Sequence, residues 1–319
     1  MRVLIADDSR ISRCTLRTSL LSWNYEVIEV CDGDEAWNAL VEAADPPRLA
    51  ILDWYMPGMD GATICERLRA LSRSAYCYVI LLTGNVDREN RIAGLRAGAD
   101  DFLTKPFDPE ELEQRVRSGV RILELQDNLL ATQKTLQIQA THDTLTGIWN
   151  RGAILAALQR EFSRSSRTDE SLGIIMADLD YFKQINDQFG HQAGDAVLRA
   201  CASRMESQLR TYDSIGRYGG EEFLMTLPNA GLSEAMVVAE RLREAVDAAP
   251  IHFDGNDCPV TVTLGVTTSK PQDLTSIDTM IRSADQALYE AKQAGRNCIR
   301  HRLPVAIPCA ARRTQLAVK

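Results

Sequence analysis

The sequence lacks several features that define particular classes of protein. No apolar run approaches the roughly 18 residues that a membrane span needs, and the start, MRVLIADD, is too short and too acidic for a signal peptide. No two of the eight cysteines form a C-x-x-C pair, so neither a zinc site nor a disulfide framework is indicated. The net charge of -8 and the lack of a basic recognition helix argue against nucleic-acid binding. We therefore expect a cytoplasmic protein with reduced thiols, no membrane insertion and no nucleic-acid partner.

A further absence concerns nucleotide chemistry. The chain has no G-x-x-x-x-G-K-S/T loop, which excludes a P-loop nucleoside triphosphatase. What is present is a composition of 45% hydrophobic and 25% charged residues, typical of a soluble globular protein. At 319 residues, the chain is long enough for two ordinary domains, each with its own core.

The first part of the chain, from Arg2 to about Arg121, alternates apolar segments with amphipathic stretches. The apolar segments are RVLIAD, YEVIEV, RLAILD, YCYVILLT and DFLTK, and ENRIAGLRAGA is one of the helical stretches between them. This alternation predicts an α/β domain with a doubly wound, five-stranded parallel sheet. Ligands of such sheets bind at the carboxyl ends of the strands.

Polar side chains follow the predicted strands at these carboxyl ends. Three are carboxylates, one is a hydroxyl and one is an ammonium: Asp7, Asp8, Asp53, Thr83 and Lys105. Carboxylates that are brought together repel one another and favour a hard divalent cation such as Mg²⁺. Any one of these residues could be a solvated loop acid or a helix cap. The coincidence of all five at strand ends favours a shared site for a cation and an anion.

The segments IADDS, ILDWYMPGMDG, LLTG and FLTKPF resemble a response-regulator receiver domain, a flavodoxin-like fold, over residues 1–121. The resemblance implies that Asp53 is the phosphoacceptor and that a sensor histidine kinase is the phosphodonor. It also implies that Asp7, Asp8 and Asp53 hold Mg²⁺, or Mn²⁺ in its place, together with the backbone carbonyl of Tyr55.

The same resemblance implies a switch that responds to phosphorylation. Thr83 and Lys105 would bind the phosphoryl oxygens, and Phe102 matches the aromatic residue that turns inward when the threonine moves. A phosphoryl group adds close to two negative charges and strong acceptor oxygens, enough to bias a two-state surface.

A short heptad stripe follows the first domain. Its members recur at spacings of three and four residues: Ile122, Leu125, Leu129, Thr132 and Leu136. The stripe predicts a helical coiled-coil linker over residues 122–140, weakly paired because it is short and contains a threonine. The alternative is a helix that packs on its own domain.

The second half predicts an α/β domain around a mostly antiparallel sheet. The apolar run LGIIMADLD predicts a core strand that delivers Asp178 to its end, and PVTVTLGVTT predicts another strand. DSIGRY and EEFLMTL flank Gly219-Gly220 and predict an antiparallel hairpin with a two-residue link. Glycines at such a tip let a ligand approach the backbone. Acids beside them could bind the divalent metal that accompanies a nucleoside triphosphate.

This half resembles the GGDEF domains of diguanylate cyclases, with the signature in the form GGEEF. The similarity runs from about Asp143 to Arg300 and includes D-x-L-T-G-x-x-N-R, D-L-D-Y-F-K-x-I-N-D-x-F-G-H-x-x-G-D and Y-x-A-K-x-x-G-R-N. It implies a GGDEF domain at residues 141–302 with a nucleotide-cyclase palm-like sheet. Residues 303–319, which have two prolines and no periodic pattern, are expected to form a flexible tail.

The GGDEF resemblance implies roles in metal binding and catalysis for the acids. Asp178 and Glu221 would hold Mg²⁺ or Mn²⁺ together with the backbone carbonyl of Leu179, and Glu222 would bind metal or assist proton removal. Lys183 is implied as a further catalytic residue because it contacts the phosphates.

It also implies how GTP is bound. Asn186 and Asp195 would hydrogen-bond the guanine, and Gly219 and Gly220 would make room for the nucleotide. The implied phosphate-binding groups are Lys183, Lys292, Arg296 and the backbone amides around Tyr181 and Phe182. Taken alone, Lys292 and Arg296 would more often be solvated charges on a helix face, and Asn186 could cap a turn.

The implied activity is the condensation of two GTP molecules into cyclic di-GMP with release of two pyrophosphates. Because one site holds one GTP, the active form would be a homodimer, switched by phosphorylation of Asp53. The segment from Arg210 to Asp213 matches the family's R-x-x-D inhibitory site, and Arg241 matches its additional arginine. Cyclic di-GMP is therefore expected to be both product and inhibitor.

Three other functions are alternatives. A catalytically silent GGDEF domain could bind GTP or cyclic di-GMP and signal through contacts. A related cyclase could make mixed dinucleotides, although Asp195 favours guanine. A plain phospho-switch would leave the motifs of the second half unexplained.

Overall fold

The computed structural model describes residues 1–71, 76–84, 96–270 and 275–304. The chain groups into two compact units, Met1–Gln133 and Lys134–Lys319. The predicted tail from residue 305 onward and residues 89–95 of the ENRIAGLRAGA segment lie outside the described residues. No described helix is both long and apolar enough to cross a membrane. The cysteines of the described part are free thiols, as expected.

The first unit contains the predicted five-stranded parallel sheet. Its strands are β1 (Arg2–Ala6), β2 (Glu26–Val30), β3 (Leu49–Asp53), β4 (Tyr78–Thr83) and β5 (Asp101–Thr104). They are ordered β2-β1-β3-β4-β5, and every neighbouring pair is parallel. The first described helices are α1 (Arg10–Ser22), α2 (Gly33–Val41) and α3 (Gly61–Ala70).

Burial and capping explain these elements. Strands β3 and β4 are buried along their whole length, as expected of apolar strands covered on both faces. Helices α1, α2 and α3 begin at the N-caps Ser9, Asp32 and Asp60, whose side chains each accept a backbone hydrogen bond from the first turn. Each of these helices therefore begins soon after the strand that precedes it.

A single helix, α4 (Pro109–Thr141), contains both the last helix of the first unit and the predicted linker. Its buried residues, Leu112, Val116, Gly119 and Leu123, all lie in the N-terminal half. The predicted stripe lies beyond them and is exposed, with Leu125 and Leu129 both 58% accessible. The exposed stripe favours pairing with another helix over packing on its own domain, and the coiled coil stays a prediction.

The second unit contains the mostly antiparallel sheet that the sequence predicts. Its helices are α5 (Arg151–Thr168), α6 (Phe182–Phe189), α7 (His191–Glu206), α8 (Leu232–Asp247) and α9 (Ile277–Gln293). The sheet strands are β6 (Leu172–Leu179), β7 (Ser214–Arg217), β8 (Glu222–Pro228), β11 (Val262–Ser269) and β12 (Ile299–His301), ordered β12-β11-β6-β8-β7. The pair β11–β12 is parallel and the other pairs are antiparallel.

Three short strands of the second unit were not predicted. The strands β9 (Ile251–Phe253) and β10 (Asn256–Cys258) form a separate hairpin, and β12 lies at the sheet edge. Each has three residues, too few to show an alternating pattern in the sequence.

The predicted two-residue link between β7 and β8 is wrong. The connection has four residues, Tyr218–Glu221, and Glu222 is the first residue of β8. The amides of Tyr218 and Gly219 both donate to the carbonyl of Glu222, at 2.8 and 3.2 Å. Neither glycine has a left-handed φ, so the turn itself does not require them.

Two apolar layers enclose the sheet of the second unit. Helices α5 and α9 pack on one face, around Ile154, Met176 and Leu288. Helices α6, α7 and α8 pack on the other face, around Val197, Phe223 and Leu242. Because side chains alternate along a strand, Asp178 lies on the same face of β6 as Met176, toward α9.

Gly265 provides a test of this packing. An added Cβ would lie 2.1 Å from the carbonyl oxygen of Ala284 and 2.3 Å from the amide of Leu288, both in the backbone of α9. We expect Gly265→Ala to destabilise the second unit by about 1–3 kcal/mol, because helix and strand must separate. Urea denaturation followed by circular dichroism measures the change.

The matched control is Gly152→Ala, on helix α5. Its added Cβ would meet no atom closer than 3.4 Å, and alanine favours a helix by up to about 1 kcal/mol over glycine. Equal stabilities of the two variants would contradict the close packing of β11 against α9.

Candidate active site and phosphoacceptor site

The acids of the second unit lie where β6 and β8 meet. Asp178 pairs in register with Glu222 across these strands, and the amide of Leu179 donates to the carbonyl of Glu221 at 3.2 Å. Asp178 is only 6% exposed. Lys292, from α9, places its Nζ 2.8 Å from Oδ2 of Asp178. Five of the predicted site residues are thus brought together around one strand end.

Burial shifts the pKa values of these acids. It raises the pKa of Asp178, and the hydrogen bond and charge of Lys292 act in the opposite direction. Burial also raises the pKa of Glu221, and the neighbouring charge of Asp178 raises it further. Desolvated carboxylates that repel one another are stabilised by a shared cation. Asp178, Glu221 and the carbonyl of Leu179 therefore fit the hard oxygen ligands that Mg²⁺ and Mn²⁺ prefer.

The carboxylate of Asp180 forms hydrogen bonds that stabilise the fold. Its carboxylate accepts hydrogen bonds from the hydroxyls of Thr261 and Thr263, at 2.7 and 2.6 Å, and from the amide of Asn297 at 3.1 Å. These bonds tie the end of β6 to β11 and to the segment after α9.

Positive groups gather at the start of α6. Tyr181, its N-cap, has a left-handed φ of 56°, and no capping side chain accepts from the first amides of the helix. The guanidinium of Arg296 lies 4.7 Å from the centroid of the Tyr181 ring. Free amides at a helix start favour an anion. With Lys183 exposed on the first turn, this end of the helix suits phosphates.

The predicted guanine-binding residues lie on α6 and α7. Asn186 and Asp195 are both half-buried. A Cβ added to Gly194 would come within 2.0 Å of Oδ1 of Asn186, so the amide packs directly over this glycine. Gly194 was missed from the sequence, although a glycine inside a helix is a signal of close approach.

The signature glycines differ in what surrounds them. A Cβ added to Gly220 would meet no atom within 4 Å, whereas one added to Gly219 would lie 2.4 Å from Oε2 of Glu222. The space beside Gly220 is thus open, and its occupation by a nucleotide stays a prediction. Gly219 makes room for the Glu222 carboxylate instead.

Arg217 was not predicted as a site residue, yet it contacts the signature loop. It donates to the carbonyl of Gly220 and forms an ion pair with Asp143 at 3.2 Å. Asp143 also accepts from the amide of Thr146 at 2.9 Å, as expected of a turn residue. No sequence pattern signals a bond to a backbone carbonyl.

The three residues of the predicted inhibitory site lie near one another. Asp213 accepts from the amide of Arg210 at 2.9 Å, and the guanidinium of Arg210 donates to the hydroxyl of Tyr212 at 2.8 Å. Arg241 donates to the carbonyl of Gln208, and its buried Nε has no hydrogen-bond partner in the described structure. A cavity of about 370 Å³ lies beside Arg210 and Asp213.

The first unit gathers its predicted residues at the carboxyl ends of the strands. Lys105 places its Nζ 2.7 Å from Oδ2 of Asp7 and 2.8 Å from Oδ2 of Asp53. Oxygens of Asp7, Asp8 and Asp53 lie within 4.8 Å of one another, which suits a divalent cation. Burial raises the pKa of Asp53, while the hydrogen bond from Lys105 lowers it.

The other predicted residues of this site differ in exposure. Thr83 is buried at the end of β4, Phe102 in β5 is half-buried, and the side chain of Tyr55 is 64% exposed. The acids Asp178, Glu221 and Glu222 do not form a comparably tight group among the described residues.

Comparisons with known proteins identify a family for each part of the chain. A family model of the response regulator receiver domain matches residues 3–117, and one of the GGDEF domain of diguanylate cyclases matches residues 140–298. The chain belongs to the response regulators that carry a GGDEF domain. In this chain, the receiver domain lies in the first unit and the GGDEF domain lies in the second.

Individual relatives extend the comparison. Response regulator PleD of Caulobacter vibrioides is 32% identical over 301 residues, which cover 93% of this chain and 65% of PleD. Diguanylate cyclase DgcP of Pseudomonas aeruginosa is 37% identical over 66% of this chain and 32% of its own length. The chain thus spans less than two thirds of the length of these curated relatives.

One similar solved structure is the coiled coil and GGDEF domain of DgcB from Caulobacter crescentus in complex with c-di-GMP. It is 29% identical, covers 60% of this chain and 99% of that chain, and gives a TM-score of 0.54. This agrees with the α/β fold of the second unit.

The raised pKa values of Asp53, Asp178 and Glu221 predict how metal and pH act together. A carboxyl whose pKa is raised by folding stabilises the metal-free protein at acid pH, and this contribution is lost as the pH rises through the raised pKa. A divalent cation binds the ionised form and reverses the loss. We expect Mg²⁺ to raise the unfolding temperature more at about pH 8 than at about pH 5.

Differential scanning calorimetry measures the difference. Asp178→Asn should reduce the Mg²⁺ effect on the second unit, and the exposed acid Asp187 provides the control Asp187→Asn, which should not. Equal Mg²⁺ effects at the two pH values would contradict the assignment of these carboxylates to metal.

Proposed function

We propose that the protein is a receiver-controlled diguanylate cyclase that condenses two GTP molecules into cyclic di-GMP and two pyrophosphates. The observation that carries this proposal is the meeting of buried Asp178 with Lys292 beside Glu221 and the open space at Gly220. This arrangement combines carboxylates for a cation, a cation for phosphate and room for a nucleotide. The family match and the relatives support the same chemistry.

Binding of GTP follows from the residues around α6. Asn186 and Asp195 hydrogen-bond the guanine, and a carboxylate suits this base because it accepts from N1–H and N2–H₂ together. Lys183, Lys292 and Arg296 hold the phosphates with the amides of Tyr181 and Phe182. Mg²⁺ or Mn²⁺ on Asp178, Glu221 and the Leu179 carbonyl supplies positive charge to these phosphates when bound.

The reaction joins two such nucleotides. The 3′-hydroxyl of one GTP attacks the α-phosphorus of the other, the bond to pyrophosphate breaks, and Glu222 assists by accepting the hydroxyl proton. Repetition in the other direction closes the ring. The chain contributes mainly position and charge, which dominate phosphoryl chemistry.

Each subunit holds one of the two reactants, so the active form is a homodimer. The apolar stripe of α4 is exposed and can pair with its counterpart as a two-stranded linker. The coiled coil attached to the GGDEF domain of DgcB supports this arrangement. Phosphorylation of Asp53 by a sensor histidine kinase changes receiver pairing through Thr83, Phe102 and Lys105, and α4 passes the change to the cyclase.

A catalytically silent GGDEF domain is the competing function. It would bind nucleotide and signal by contact. The presence of both signature acids and of Lys292 and Arg296 favours the enzyme, because the loss of these groups would favour a silent domain.

The central test is product formation from GTP and Mg²⁺, with and without a beryllofluoride mimic of phospho-Asp53. We expect cyclic di-GMP, separated by chromatography, to increase with the mimic and to be lost in Glu221→Gln. The exposed acid Glu244 provides the control Glu244→Gln, which should keep the activity. A folded dimer that binds GTP and makes no cyclic dinucleotide would instead indicate the silent domain.

Product inhibition provides a separate prediction. Cyclic di-GMP binds at Arg210, Asp213 and Arg241, as supported by the cavity beside Arg210 and Asp213 and by the c-di-GMP complex of DgcB. Arg210→Ala should raise the concentration for half-inhibition by about 10- to 100-fold, because this factor corresponds to the free energy of one hydrogen bond to a charged group.

Initial rates at increasing cyclic di-GMP measure this shift. Arg199→Ala, at an exposed arginine of α7, is the control and should leave inhibition unchanged. Unaltered inhibition in Arg210→Ala would exclude this site.

A further inference from the structure

Arg217, which opens the RYGGEEF segment, holds the signature loop from its backbone side. Its Nη2 and Nε donate to the carbonyl of Gly220 at 2.7 and 3.0 Å. That carbonyl and the amide of Glu221 belong to one planar peptide group. A fixed Gly220 carbonyl therefore orients the backbone from which the Glu221 carboxylate projects.

Asp143 holds Arg217 in turn. Nη1 of Arg217 lies 3.2 and 3.3 Å from the two carboxylate oxygens of Asp143. The side chains are only 19% and 21% exposed, so solvent screens this pair less than a surface pair. Burial alone would raise the pKa of Asp143, but the hydrogen bonds from Thr146 and the charge of Arg217 lower it. The carboxylate therefore stays charged at neutral pH.

The turn that contains Asp143 also joins α4 to β7 through backbone bonds. The amide of Asn150 donates to the carbonyl of Thr141, the last residue of α4, at 2.9 Å. The amide of Trp149 donates to the carbonyl of Ile215 at 3.3 Å, and the amide of Arg217 donates to the carbonyl of Trp149 at 2.8 Å. A continuous set of hydrogen bonds thus runs from the end of α4 to the loop before Glu221.

We propose that Arg217, oriented by Asp143, is a positioning residue that sets the affinity of the GGEEF loop for its divalent cation. The same contacts join the end of α4 to that loop, so a displacement of the helix end reaches the metal ligand through hydrogen bonds. The inference rests on the proposed function only in taking Glu221 as a metal ligand. Groups that orient a metal ligand affect metal affinity by about 10- to 100-fold.

The test uses Arg217→Lys in the full chain. Lysine keeps the charge but lacks the planar fork that reaches the Gly220 carbonyl and Asp143 at the same time. Asp8→Asn and Asp53→Asn are included in every protein to remove the receiver metal site. Binding of Mn²⁺ alone is measured by electron paramagnetic resonance, and thermal unfolding is recorded in parallel.

A matched control comes from α7. Arg204 also holds backbone carbonyls, those of Val246 and Ala249 at 2.8 and 2.6 Å, at the end of α8. Arg204→Lys removes the same kind of contact elsewhere in the unit. Asp143→Asn is the second variant, which keeps the shape of the side chain and loses its charge, should Arg217→Lys fail to fold.

We expect Arg217→Lys to raise the Mn²⁺ dissociation constant by about 10- to 100-fold, Asp143→Asn to raise it less, and Arg204→Lys to leave it unchanged. In the otherwise wild-type chain, higher Mn²⁺ should restore cyclic di-GMP formation by Arg217→Lys. An unchanged Mn²⁺ affinity in a folded Arg217→Lys protein would overturn the inference, as would an equal loss in Arg204→Lys.

The outcomes separate this inference from the proposed function. If wild-type protein makes cyclic di-GMP but Mn²⁺ affinity does not depend on Arg217, the positioning role fails and the cyclase stands. If the affinity depends on Arg217 but no cyclic dinucleotide forms, the positioning role stands and the cyclase fails.

Discussion

Buried carboxylates at the ends of core strands are the constraint on which both candidate sites depend. Asp53 ends β3 and Asp178 lies near the end of β6, and both are less than a tenth exposed. Each is paired with one lysine, Lys105 or Lys292, because an isolated buried charge is costly to desolvate. In the function proposed above, the same lysine also binds phosphoryl oxygens. Two unrelated sheets thus use the same electrostatic arrangement.

The second constraint is one of stoichiometry. The described part of the second unit contains one set of candidate ligands for metal, guanine and phosphate, whereas the proposed condensation needs two GTP molecules. A dimer resolves this, and control of the reaction then becomes control of how two half-sites meet. The long helix α4 suits that task, since it begins in the receiver unit, exposes an apolar stripe and ends beside the turn that holds Arg217.

The sequence predicts most of the scaffold because its core strands are fully buried. Continuous apolar runs such as LGIIMADLD have a clear start and end, and the acids that follow them can be placed at the sheet edge. Three-residue strands such as β9 and β12 carry no such pattern. The hydrogen bonds from Arg217 to the Gly220 carbonyl could not be predicted either, because every residue has a backbone carbonyl and the sequence does not mark which one accepts. The four-residue turn was not predicted because Tyr218 and Glu221 continue the flanking segments in sequence, whereas the pairing of β7 with β8 ends at Arg217 and Phe223.

Mixing active and inactive subunits tests the half-site account most directly. Wild-type protein is combined with a folded, inactive Asp178→Asn variant at a fixed total concentration and allowed to exchange. If each product needs two competent subunits, the rate of cyclic di-GMP formation falls as the square of the wild-type fraction. A rate proportional to the wild-type fraction itself would show that one subunit performs the whole reaction, and would contradict the account.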